Sequence, residues 1–551
     1  MDVLSAFDPD SLPAYAAAFG LGIFLHVALF RFGDWDIWVP RLIVITATLF
    51  ATLVYSLVFY LNYDTIYAAA LNVSKLFLVL VGGIYTSVAA YRLLFHPLRR
   101  FPGPFLSGLT SLYPTWLLVR RFHQFEEVQG LHRKYGDVVR IGPSELSIAN
   151  VNALHAIHSA QSTCLKGPWY NIFHPMNSVQ SVRDVKEHAQ RRKIWDRGFG
   201  PKALRNYEPR VAQYTDLLLS RIQESAGKPM DASRWSYYYG FDVMGDLAFG
   251  KSFDMLTAGV AHSHMKLMHE STVFGTSFGR FPWAFLLTQH IPILNIKYKK
   301  YVKWLTNQVK ERAATEPKLP DVFSWVLEAY NALSNPSDQD KMHLLGDANL
   351  IVVAGSDTTS ATITCTLFEL ATHPEICKEL QAELDEYFAV NTTAEHTTLS
   401  KLKYLQAVID EGMRLHPAVP SGVQRMTPPQ GITIDGTFIP GNMIVQIPPY
   451  TLFRDSRCFG RPDEFLPNRW TTQTELVTDG SAFVPFSMGK YSCVGKQLGL
   501  MEIRFVISQV LHRYDISLAP GQTADAFLEG IVDGFTLMCP KLEMVFTPRR
   551  V

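Results

Sequence analysis

The chain has 551 residues, of which 48% are hydrophobic, so it is long enough to bury a large core together with a cofactor. Its formal net charge is +1 and no long run of like charge occurs, which argues against a polyanion-binding surface and against nucleic acid as a partner. The six cysteines form no CxxC pair and no dense framework, a usage typical of reduced thiols in a domain that faces the cytosol.

Three long apolar runs occupy the first hundred positions: Ala14 to Phe30, Leu42 to Leu61 and Leu76 to Phe95. About 20 helical residues, each rising about 1.5 Å, cross the hydrocarbon core of a bilayer, so the runs predict up to three transmembrane helices within residues 1–96. Asp2, Asp8 and Asp10 precede the first run without any Lys or Arg, which disfavours a cleaved signal peptide. The alternative is a single anchor at the third run, with interfacial helices before it.

Positive charge predicts how these helices are oriented. Arg31, Arg41, Arg99 and Arg100 flank the apolar runs, and the positive-inside rule places such residues on the cytoplasmic side. The N-terminus then faces the lumen and the large C-terminal part faces the cytoplasm. We therefore expect an endoplasmic reticulum membrane protein with a cytoplasmic domain.

A proline-rich stretch, HPLRRFPGPFLSG, follows the last apolar run. Its prolines disfavour a continued helix and predict an extended, stiff connector over residues 97–104. In residues 105–551 no internal repeat is visible, and helical patterns such as LSKLKYLQAVIDEGMRLHP prevail. DVVRIGPSELSIA and GITIDGTFIPGNMIVQIP alternate around glycine-centred turns and predict hairpins. The expected fold class is mainly α with small β-sheets.

Two short motifs lie on predicted helices. AGSDTT, from Ala354 to Thr359, puts a glycine and hydroxyl side chains inside an apolar helical run, which indicates either a local distortion or a packing notch. Glu411 and Arg414 in IDEGMRLHP are three residues apart and share one helical face. Taken alone, such a pair is usually a solvated surface bridge.

Two further motifs lie in segments of little regular structure. RPDEFLPNRW contains Arg469 and by itself indicates only a loop. PFSMGKYSCVGKQLG places Phe486, Gly489, Cys493 and Gly495 at offsets of zero, three, seven and nine, in a turn that runs into a helix. A lone cysteine in such a turn is also compatible with an ordinary buried thiol.

In order and spacing, these four motifs resemble the cytochrome P-450 family of haem-thiolate monooxygenases, and the several N-terminal apolar runs and FSMGKYSCVGK look like fungal members of secondary metabolism. The resemblance implies the cytochrome P-450 fold, haem b as cofactor and Cys493 as the axial thiolate ligand of the iron. Gly489 and Gly495 allow a tight turn whose N–H groups, with the helix that follows, stabilise the anion. Phe486 is expected to shield the sulfur from water.

The resemblance also implies partners for the haem propionates. His188 and Arg192 in EHAQRRKIWDRGF and Arg425 in PSGVQRMTP match these contacts. Two residues before the cysteine, where the family usually has arginine, this chain has Tyr491, which donates one neutral hydrogen bond but cannot form a charge-assisted fork. Lys490 is a candidate to compensate in part.

Other charged residues are expected to act away from the cofactor. By the resemblance, Glu411, Arg414 and Arg469 form a buried ion network that braces the proximal side. Arg191 and Lys193 are expected on a solvated helix face, where they steer an acidic electron donor.

On the distal side, Asp357 and Thr358 match the family's acid and alcohol pair, which delivers protons during oxygen activation. Ala354 and Gly355 are expected to leave space above the iron. The implied reaction hydroxylates or epoxidises a hydrophobic small molecule. Because no glycine-rich dinucleotide fingerprint precedes a helix, the electrons are expected from NADPH-cytochrome P-450 reductase.

Two other functions stay open: a haem-thiolate isomerase or dehydratase that needs no reductase, and a nonenzymatic membrane protein that senses a ligand. The acid and alcohol pair argues against the first. Phe281, Trp283 and Phe285 in RFPWAFLL favour a hydrophobic ligand, and this segment is either packed core or a route of access from the bilayer. The sequence does not identify the substrate.

Overall fold

The structure is a computed structural model that describes residues 9–317 and 319–550, without the side chains of residues 269–273. Asp2 and Asp8 lie outside the described residues. The α-helices are α1 Leu12–Leu25, α2 Val39–Tyr60, α3 Ile66–Ala90, α4 Phe105–Leu109, α5 Leu112–Val119, α6 Gln124–Tyr135, α7 Val151–His158, α8 Val185–Gly198, α9 Pro201–Glu224, α10 Ala232–Phe249, α11 Met255–Ala258, α12 Ser263–Ser277, α13 Pro282–Thr288, α14 Ile296–Ala313, α15 Val322–Asn331, α16 Asp338–Thr372, α17 Pro374–Val390, α18 His396–Leu399, α19 Lys403–Leu415, α20 Pro449–Leu452, α21 Lys496–Arg513 and α22 Ala524–Glu529.

The strands are short and scattered along the domain that follows α3. They are β1 Val138–Gly142, β2 Glu145–Ile148, β3 Leu165–Lys166, β4 Pro229–Asp231, β5 Arg425–Met426, β6 Ile432–Ile434, β7 Thr437–Ile439, β8 Ile444–Gln446, β9 Tyr514–Leu518, β10 Val532–Gly534, β11 Thr536–Met538 and β12 Glu543–Pro548. The expected class, mainly α with small sheets, is confirmed.

The N-terminal apolar runs form three helices, each long and apolar enough to cross a membrane: Leu12–Phe30, Asp36–Tyr60 and Ile66–Phe95. The third begins at Ile66 rather than at Leu76 because Thr65 caps it, its hydroxyl accepting the N–H of Ala68 at 3.1 Å. α16 also meets the length and composition criteria, but 72% of its apolar window is buried, against 17% or less for the other three. α16 is therefore a core helix of the larger domain.

α1 and α3 pack closely and run in the same direction. A Cβ on Gly22 would lie 2.1 Å from the α3 backbone, and one on Gly83 would lie 2.3 Å from the carbonyl oxygen of Phe19. Further along both helices, His26 Nδ1 lies 2.8 Å from Ser87 Oγ. Small residues and interhelical hydrogen bonds are the usual means of helix association in membranes. Asp10, just before α1, pairs with Lys75 at 2.9 Å, whereas His26, just after α1, contacts Ser87, so α1 and α3 are parallel.

The connector after α3 is only partly extended. Pro97–Arg100 forms a 3₁₀ turn, so the prediction of an extended conformation is wrong for these residues. Proline is tolerated at the first helical position because its missing N–H has no partner there in any case. The His96 ring accepts the N–H of Leu98 at 3.1 Å and caps the turn, and extended backbone begins at Phe101.

α16 is the central helix of the larger domain and packs against α10, α14, α15, α19 and α21. Its α-helical conformation continues through Gly355, which favours the packing notch over the local distortion, the two alternatives for AGSDTT. The hydroxyl of Thr358 donates to the carbonyl oxygen of Ala354, one turn earlier, at 2.9 Å. This bond occupies the hydroxyl without taking the carbonyl out of the helix.

A five-stranded sheet, in the order β1-β2-β8-β5-β3, lies beside the helices. The antiparallel hairpins β1–β2 and β6–β7 confirm the predictions for these segments. β8 does not join its sequence neighbours, because it pairs parallel with β2 and antiparallel with β5. At the sheet edge β3 pairs with β5, and this register sets Lys166 opposite Arg425.

Candidate functional site

Cys493 lies in the loop immediately before α21. Ser487 and Gly489 have positive φ values of 55° and 68°, and a Cβ on Gly489 would lie 2.3 Å from the carbonyl oxygen of His158. Only glycine meets both requirements at position 489. The N–H of Cys493 donates to the carbonyl oxygen of Phe486 at 2.9 Å. This bond closes the loop and fixes the cysteine at the start of the helix.

The thiol of Cys493 faces the N-terminus of α21. Although Cys493 is accessible to solvent, desolvation by the protein around it raises the pKa of the thiol. The backbone N–H groups of Gly495 and Lys496, which point at the sulfur, and the charge of Arg192 act in the opposite direction. A Cβ on Gly495 would lie 3.9 Å from the sulfur, and the φ of this residue is −80°. The turn therefore requires glycine at 489, whereas the backbone conformation at 495 is open to other residues. Phe486 packs half-buried at the edge of the main core.

A cationic pocket, formed by Lys166, His188, Arg425 and Tyr491, lies beside the cysteine loop. The His188 and Tyr491 ring centroids are 4.7 Å apart, and the Arg425 guanidinium carbon lies 4.8 Å from the centroid of Tyr491. Lys166, which the sequence analysis missed, places its ammonium nitrogen 5.0 Å from the same centroid. Nothing in CLKGPWY distinguishes this lysine, because its place depends on the pairing of two two-residue strands.

The cationic pocket contains positive charge without a matching acid. Among the described residues neither Lys166 nor Arg425 forms an ion pair, and the Tyr491 hydroxyl and the Arg425 Nε are buried without a hydrogen-bond partner. Burial, followed by the charges of Lys166, Arg192 and Arg425, lowers the pKa of His188 to about 3, so its imidazole is neutral. An anionic group with several acceptor oxygens fits this set of donors.

Arg192 is bound to the cysteine loop rather than directed into the cationic pocket. Its Nη1 donates to the carbonyl oxygen of Ser492 at 2.7 Å, and its Nε pairs with Asp196 at 2.7 Å. Lys490, the suggested substitute for the absent arginine, donates to the carbonyl oxygen of Ser162 at 2.9 Å. Arg192 and Lys490 thus each donate to a backbone carbonyl oxygen, and these two hydrogen bonds hold the cysteine loop in place.

Asp357 and Thr358 lie on α16, near its centre. Asp357 is 9% exposed, its Oδ1 has no hydrogen-bond partner, and burial raises its pKa to about 7. Burial first, and then the nearby Asp357 carboxylate, raise the pKa values of Tyr237 on α10 and Tyr301 on α14. The carboxyl group therefore lies among phenols instead of cations. A carboxyl with a pKa near 7 is well suited to accept and release protons at neutral pH.

Gly355 does not face the same space as Thr358. A Cβ on Gly355 would lie 2.6 Å from the side chain of Met244 on α10, so the glycine permits helix packing. The prediction that it leaves room above the iron is wrong. Ala354 is exposed and lies one turn before Thr358, so these two residues share one face of α16, and for Ala354 the expected role stays a prediction.

The contact between α16 and α21 brings the two halves of the site together. A Cβ on Gly499 in α21 would lie 3.5 Å from Thr359 Oγ1 in α16. The cysteine loop immediately precedes α21, and Thr359 directly follows the acid and alcohol pair, so this helix contact holds the loop and the pair in the same part of the domain.

Glu411, Arg414 and Arg469 form a fully buried ion network, each with 0% exposure. Glu411 Oε1 lies 2.8 Å from Arg414 Nη2 and 2.9 Å from Arg469 Nε. Trp470 Nε1 donates to Glu411 Oε2 at 2.9 Å, and the N–H of Leu466 donates to Oε1 at the same distance. The remaining guanidinium N–H groups donate to backbone carbonyls, so the network joins α19 to the segment before the cysteine loop.

Arg191 is not on a solvated helix face, so that prediction is wrong, whereas Lys193 is exposed as expected. The Arg191 side chain is 11% exposed, pairs with Asp347 of α16 at 2.8 Å and donates to the carbonyl oxygen of Asn177 at 3.1 Å. Asp347 is buried, and without Arg191 its charge would be uncompensated.

A cysteine held at a helix N-terminus, opposite a helix that carries a protonatable acid and an alcohol, is the arrangement of a haem-thiolate enzyme. The cytochrome P450 family model matches residues 107–546, and the chain belongs to this family. The resemblance in the sequence is thereby confirmed. Members of the family bind haem iron through a cysteine thiolate, and the protein is an oxidoreductase of the monooxygenase class.

Similar proteins agree with this assignment. The cytochrome P450 monooxygenase FCK2 of Fusarium pseudograminearum is 51% identical and the match covers 98% of each chain. Tryprostatin B 6-hydroxylase of Aspergillus fumigatus is 36% identical, with 97% of this chain and 96% of the relative covered. The crystal structure of the cytochrome P450DA haem domain has the same fold, with a TM-score of 0.69 at 16% identity, covering 82% of this chain and 98% of that one. The relatives place the chain among fungal P450s of secondary metabolism.

Proposed function

We propose that the protein binds haem b through Cys493 and uses dioxygen, with electrons from NADPH-cytochrome P450 reductase, to hydroxylate or epoxidise a hydrophobic small molecule. The observation that carries this proposal is the cysteine loop, whose sulfur accepts two helix N-terminal N–H groups near the Asp357–Thr358 turn. Haem, when bound, supplies the chemistry that activates oxygen. The chain's own residues bind the cofactor, deliver protons and admit the substrate.

Several side chains hold the cofactor in this proposal. The cationic pocket binds the propionates, with His188 donating a neutral hydrogen bond and Arg425 a charge-assisted one. The N–H groups of Gly495 and Lys496 stabilise the thiolate of Cys493, and Phe486 packs beside it. The buried network around Glu411 fixes the segment that leads into this loop.

Proton delivery is assigned to Asp357 and Thr358. Asp357 is partly protonated at neutral pH because burial raises its pKa to about 7, so it can both give up and take up a proton. Thr358 lies on the adjacent cavity face, and its hydroxyl can exchange its helix-directed bond to Ala354 for one to a water or to the reacting oxygen. The pair supports a monooxygenase over a reductase-independent isomerase or dehydratase, which needs no protons for oxygen cleavage.

The electron donor is expected to dock beside the cysteine loop. Lys193 on α8 and Lys496 at the start of α21 are both exposed there. This positive surface complements an acidic flavoprotein and favours its diffusional encounter. Arg191, which pairs with Asp347, takes no part in it.

A hydrophobic substrate is supported by the aromatic residues around the site. The Trp169 ring stacks on that of Phe535, with centroids 4.4 Å apart, and Trp283 on α13 is 41% exposed. One relative is named for the 6-hydroxylation of tryprostatin B, an activity that belongs to that protein. For this chain we propose an apolar secondary metabolite as the substrate.

We also propose three membrane crossings within residues 1–96, a connector at 97–104 and a cytoplasmic catalytic domain at 105–551, with the N-terminus in the lumen of the endoplasmic reticulum. The connection between α1 and α2 contacts the catalytic domain. Asp34 pairs with Arg183 and accepts a hydrogen bond from Asn171 at 2.8 Å, and Asp36 accepts the N–H of Trp283 at 3.3 Å. This connection and the domain after α3 must then lie on one side of the membrane, which agrees with the parallel packing of α1 and α3 and with an odd number of crossings.

The reduced, carbon-monoxide-bound difference spectrum tests the ligand assignment. Cys493→Ala should abolish the thiolate-type spectrum, because the sulfur is the only group proposed to bind iron. Cys458→Ala is the matched control, since Cys458 is a buried thiol of the neighbouring core and should leave the spectrum intact. A thiolate-type spectrum that survives in Cys493→Ala would refute the assignment.

A further inference from the structure

Lys166 belongs to the cationic pocket, and among the described residues no acidic side chain pairs with it. Lys166 is 3% exposed and stands opposite Arg425 in the β3–β5 pairing. Its ammonium donates to the carbonyl oxygens of Val179 and Val182, each at 2.9 Å. An ammonium has three N–H groups, so one is left for a further acceptor. Its nitrogen lies 5.0 Å from the Tyr491 ring centroid.

The surroundings of Lys166 are unfavourable to a charge unless an anion is added. Burial, and then the charges of Arg425, Arg191 and Arg192, lower the pKa of Lys166 to about 6, and Glu187 opposes this effect more weakly than they do. A buried cation is retained in proteins where it is paired or ligates an acceptor. The position therefore calls for an anion that the chain itself does not provide.

We propose that Lys166 binds a haem propionate and takes over the function of the arginine that Tyr491 replaces. This inference rests on the proposed haem binding. The free N–H of Lys166, the Nε of Arg425 and the hydroxyl of Tyr491 are three donors around one ring, and the latter two are buried without partners. One carboxylate in their midst satisfies all three and offsets the positive charge.

The same geometry explains why position 491 is not arginine in this chain. A guanidinium there would stand next to the Lys166 ammonium and the Arg425 guanidinium, which already lie 5.0 Å and 4.8 Å from the ring centroid of Tyr491. Three cations would then share one carboxylate. The lysine on β3 and an arginine at 491 are thus alternatives, and each should be able to replace the other.

The test compares three variants of the full chain in phospholipid nanodiscs: Lys166→Met, Tyr491→Arg and the double variant. The measurement is the rate of haem loss to excess apomyoglobin, with the carbon monoxide spectrum recorded beforehand to establish thiolate ligation independently. A charge-assisted hydrogen bond predicts that Lys166→Met loses haem about 10-fold to 100-fold faster than the wild type. Tyr491→Arg should also accelerate the loss, by adding a third cation. The double variant should return to within about 3-fold of the wild-type rate, since it restores one cation pair.

Two controls separate binding from folding. Lys166→Arg keeps a cation and should lose haem more slowly than Lys166→Met. Lys202→Met removes an exposed lysine of α9 and should lose haem at the wild-type rate. The inference is overturned if Lys166→Met holds haem as tightly as the wild type, if Lys166→Arg is as defective as Lys166→Met, or if the double variant is worse than either single one. Absence of a thiolate spectrum in the wild type would instead refute the proposed haem ligation by Cys493.

Discussion

Replacing Asp357 with asparagine should stabilise the protein above acidic pH while impairing its chemistry. The carboxyl group is buried, its Oδ1 has no partner, and its pKa is raised by burial from 3.8 to about 7. Between these two values the folded state keeps a proton that the unfolded state has released. Stability therefore falls as the pH rises through this window and stays at its lower level above pH 7.

The size of the effect follows from the two pKa values. They differ by about 3 pH units, and at about 1.36 kcal/mol per unit the ionised group costs up to about 4 kcal/mol, of which about 3 kcal/mol develops between pH 5 and pH 7. The unfolding entropy is about 2.1 cal/mol/K per residue, and the family match covers roughly 440 residues. A change of 1 kcal/mol in the free energy of unfolding therefore shifts the melting temperature by about 1 °C. The difference between the melting temperatures of Asp357→Asn and the wild type should thus increase by about 3 °C, in favour of the variant, from pH 5 to pH 8.

Thermal unfolding of the two proteins, followed by circular dichroism in one detergent at a fixed scan rate, measures this difference. Asp338→Asn is the control, because Asp338 belongs to the same helix α16 but its side chain is 97% exposed. The difference between its melting temperature and that of the wild type should not increase with pH. Parallel pH profiles for Asp357→Asn and wild type would refute the high pKa. Asparagine cannot relay a proton, so the variant should also release more hydrogen peroxide per NADPH consumed.

Three further predictions address proton delivery, the ion network and topology. Thr358→Ala should retain its haem but divert electrons to hydrogen peroxide, so that the product formed per NADPH consumed falls about 10²-fold or more. Thr364→Ala is the control, because it loses the same kind of hydroxyl bond to a helix carbonyl in the core and should form as much product per NADPH as the wild type. Equal ratios in the two variants would mean that Thr358 only packs. Glu411→Ala should lower the free energy of unfolding by about 3–5 kcal/mol and reduce the yield of haem protein. Glu475→Ala, at an exposed position, is the control and should change neither. Equal yields of haem protein from the two variants would contradict a bracing role for Glu411. A glycosylation tag placed before the first residue should be modified in microsomes while the sequon at Asn391 is not, and the reverse pattern would exclude a lumenal N-terminus.

Features that depend on neighbouring residues were predictable from the sequence. The three apolar helices, the cysteine loop and the β1–β2 hairpin are each defined within a few residues of contiguous chain. The i,i+3 spacing of Glu411 and Arg414 indicated a pair, and the family resemblance implied Arg469 as its third member, which the folded chain binds to the same carboxylate. Lys166 could not be predicted, because strands of two residues carry no periodic signal.

The error at Arg191 has a different origin, since a signal was present. His188, Arg191 and Trp195 are separated by three and four residues and therefore share one face of α8. His188 and Trp195 are 6% and 4% exposed, so this face is buried and the arginine between them must be paired. The run of basic residues at 191–193 indicated a solvated face, but Trp195, on the same face as Arg191, indicated a buried one.

The surroundings of Asp357 and the cationic pocket differ in charge: in the part of the chain that the structure describes, the first contains no paired cation, and the second contains several cations. The proton-holding role of Asp357 depends on this separation. No cation of the described residues pairs with Asp357, and burial keeps its pKa near 7. A guanidinium beside it would lower that pKa and deprive the group of its proton at neutral pH. Two buried cations that pair with no acid among the described residues, Lys166 and Arg425, lie instead at the β3–β5 edge around Tyr491, where burial and mutual repulsion lower the pKa values of Lys166 and His188. In the proposed function a bound carboxylate offsets this charge, and cofactor binding then completes the pocket without placing a cation beside the group that must hold the proton.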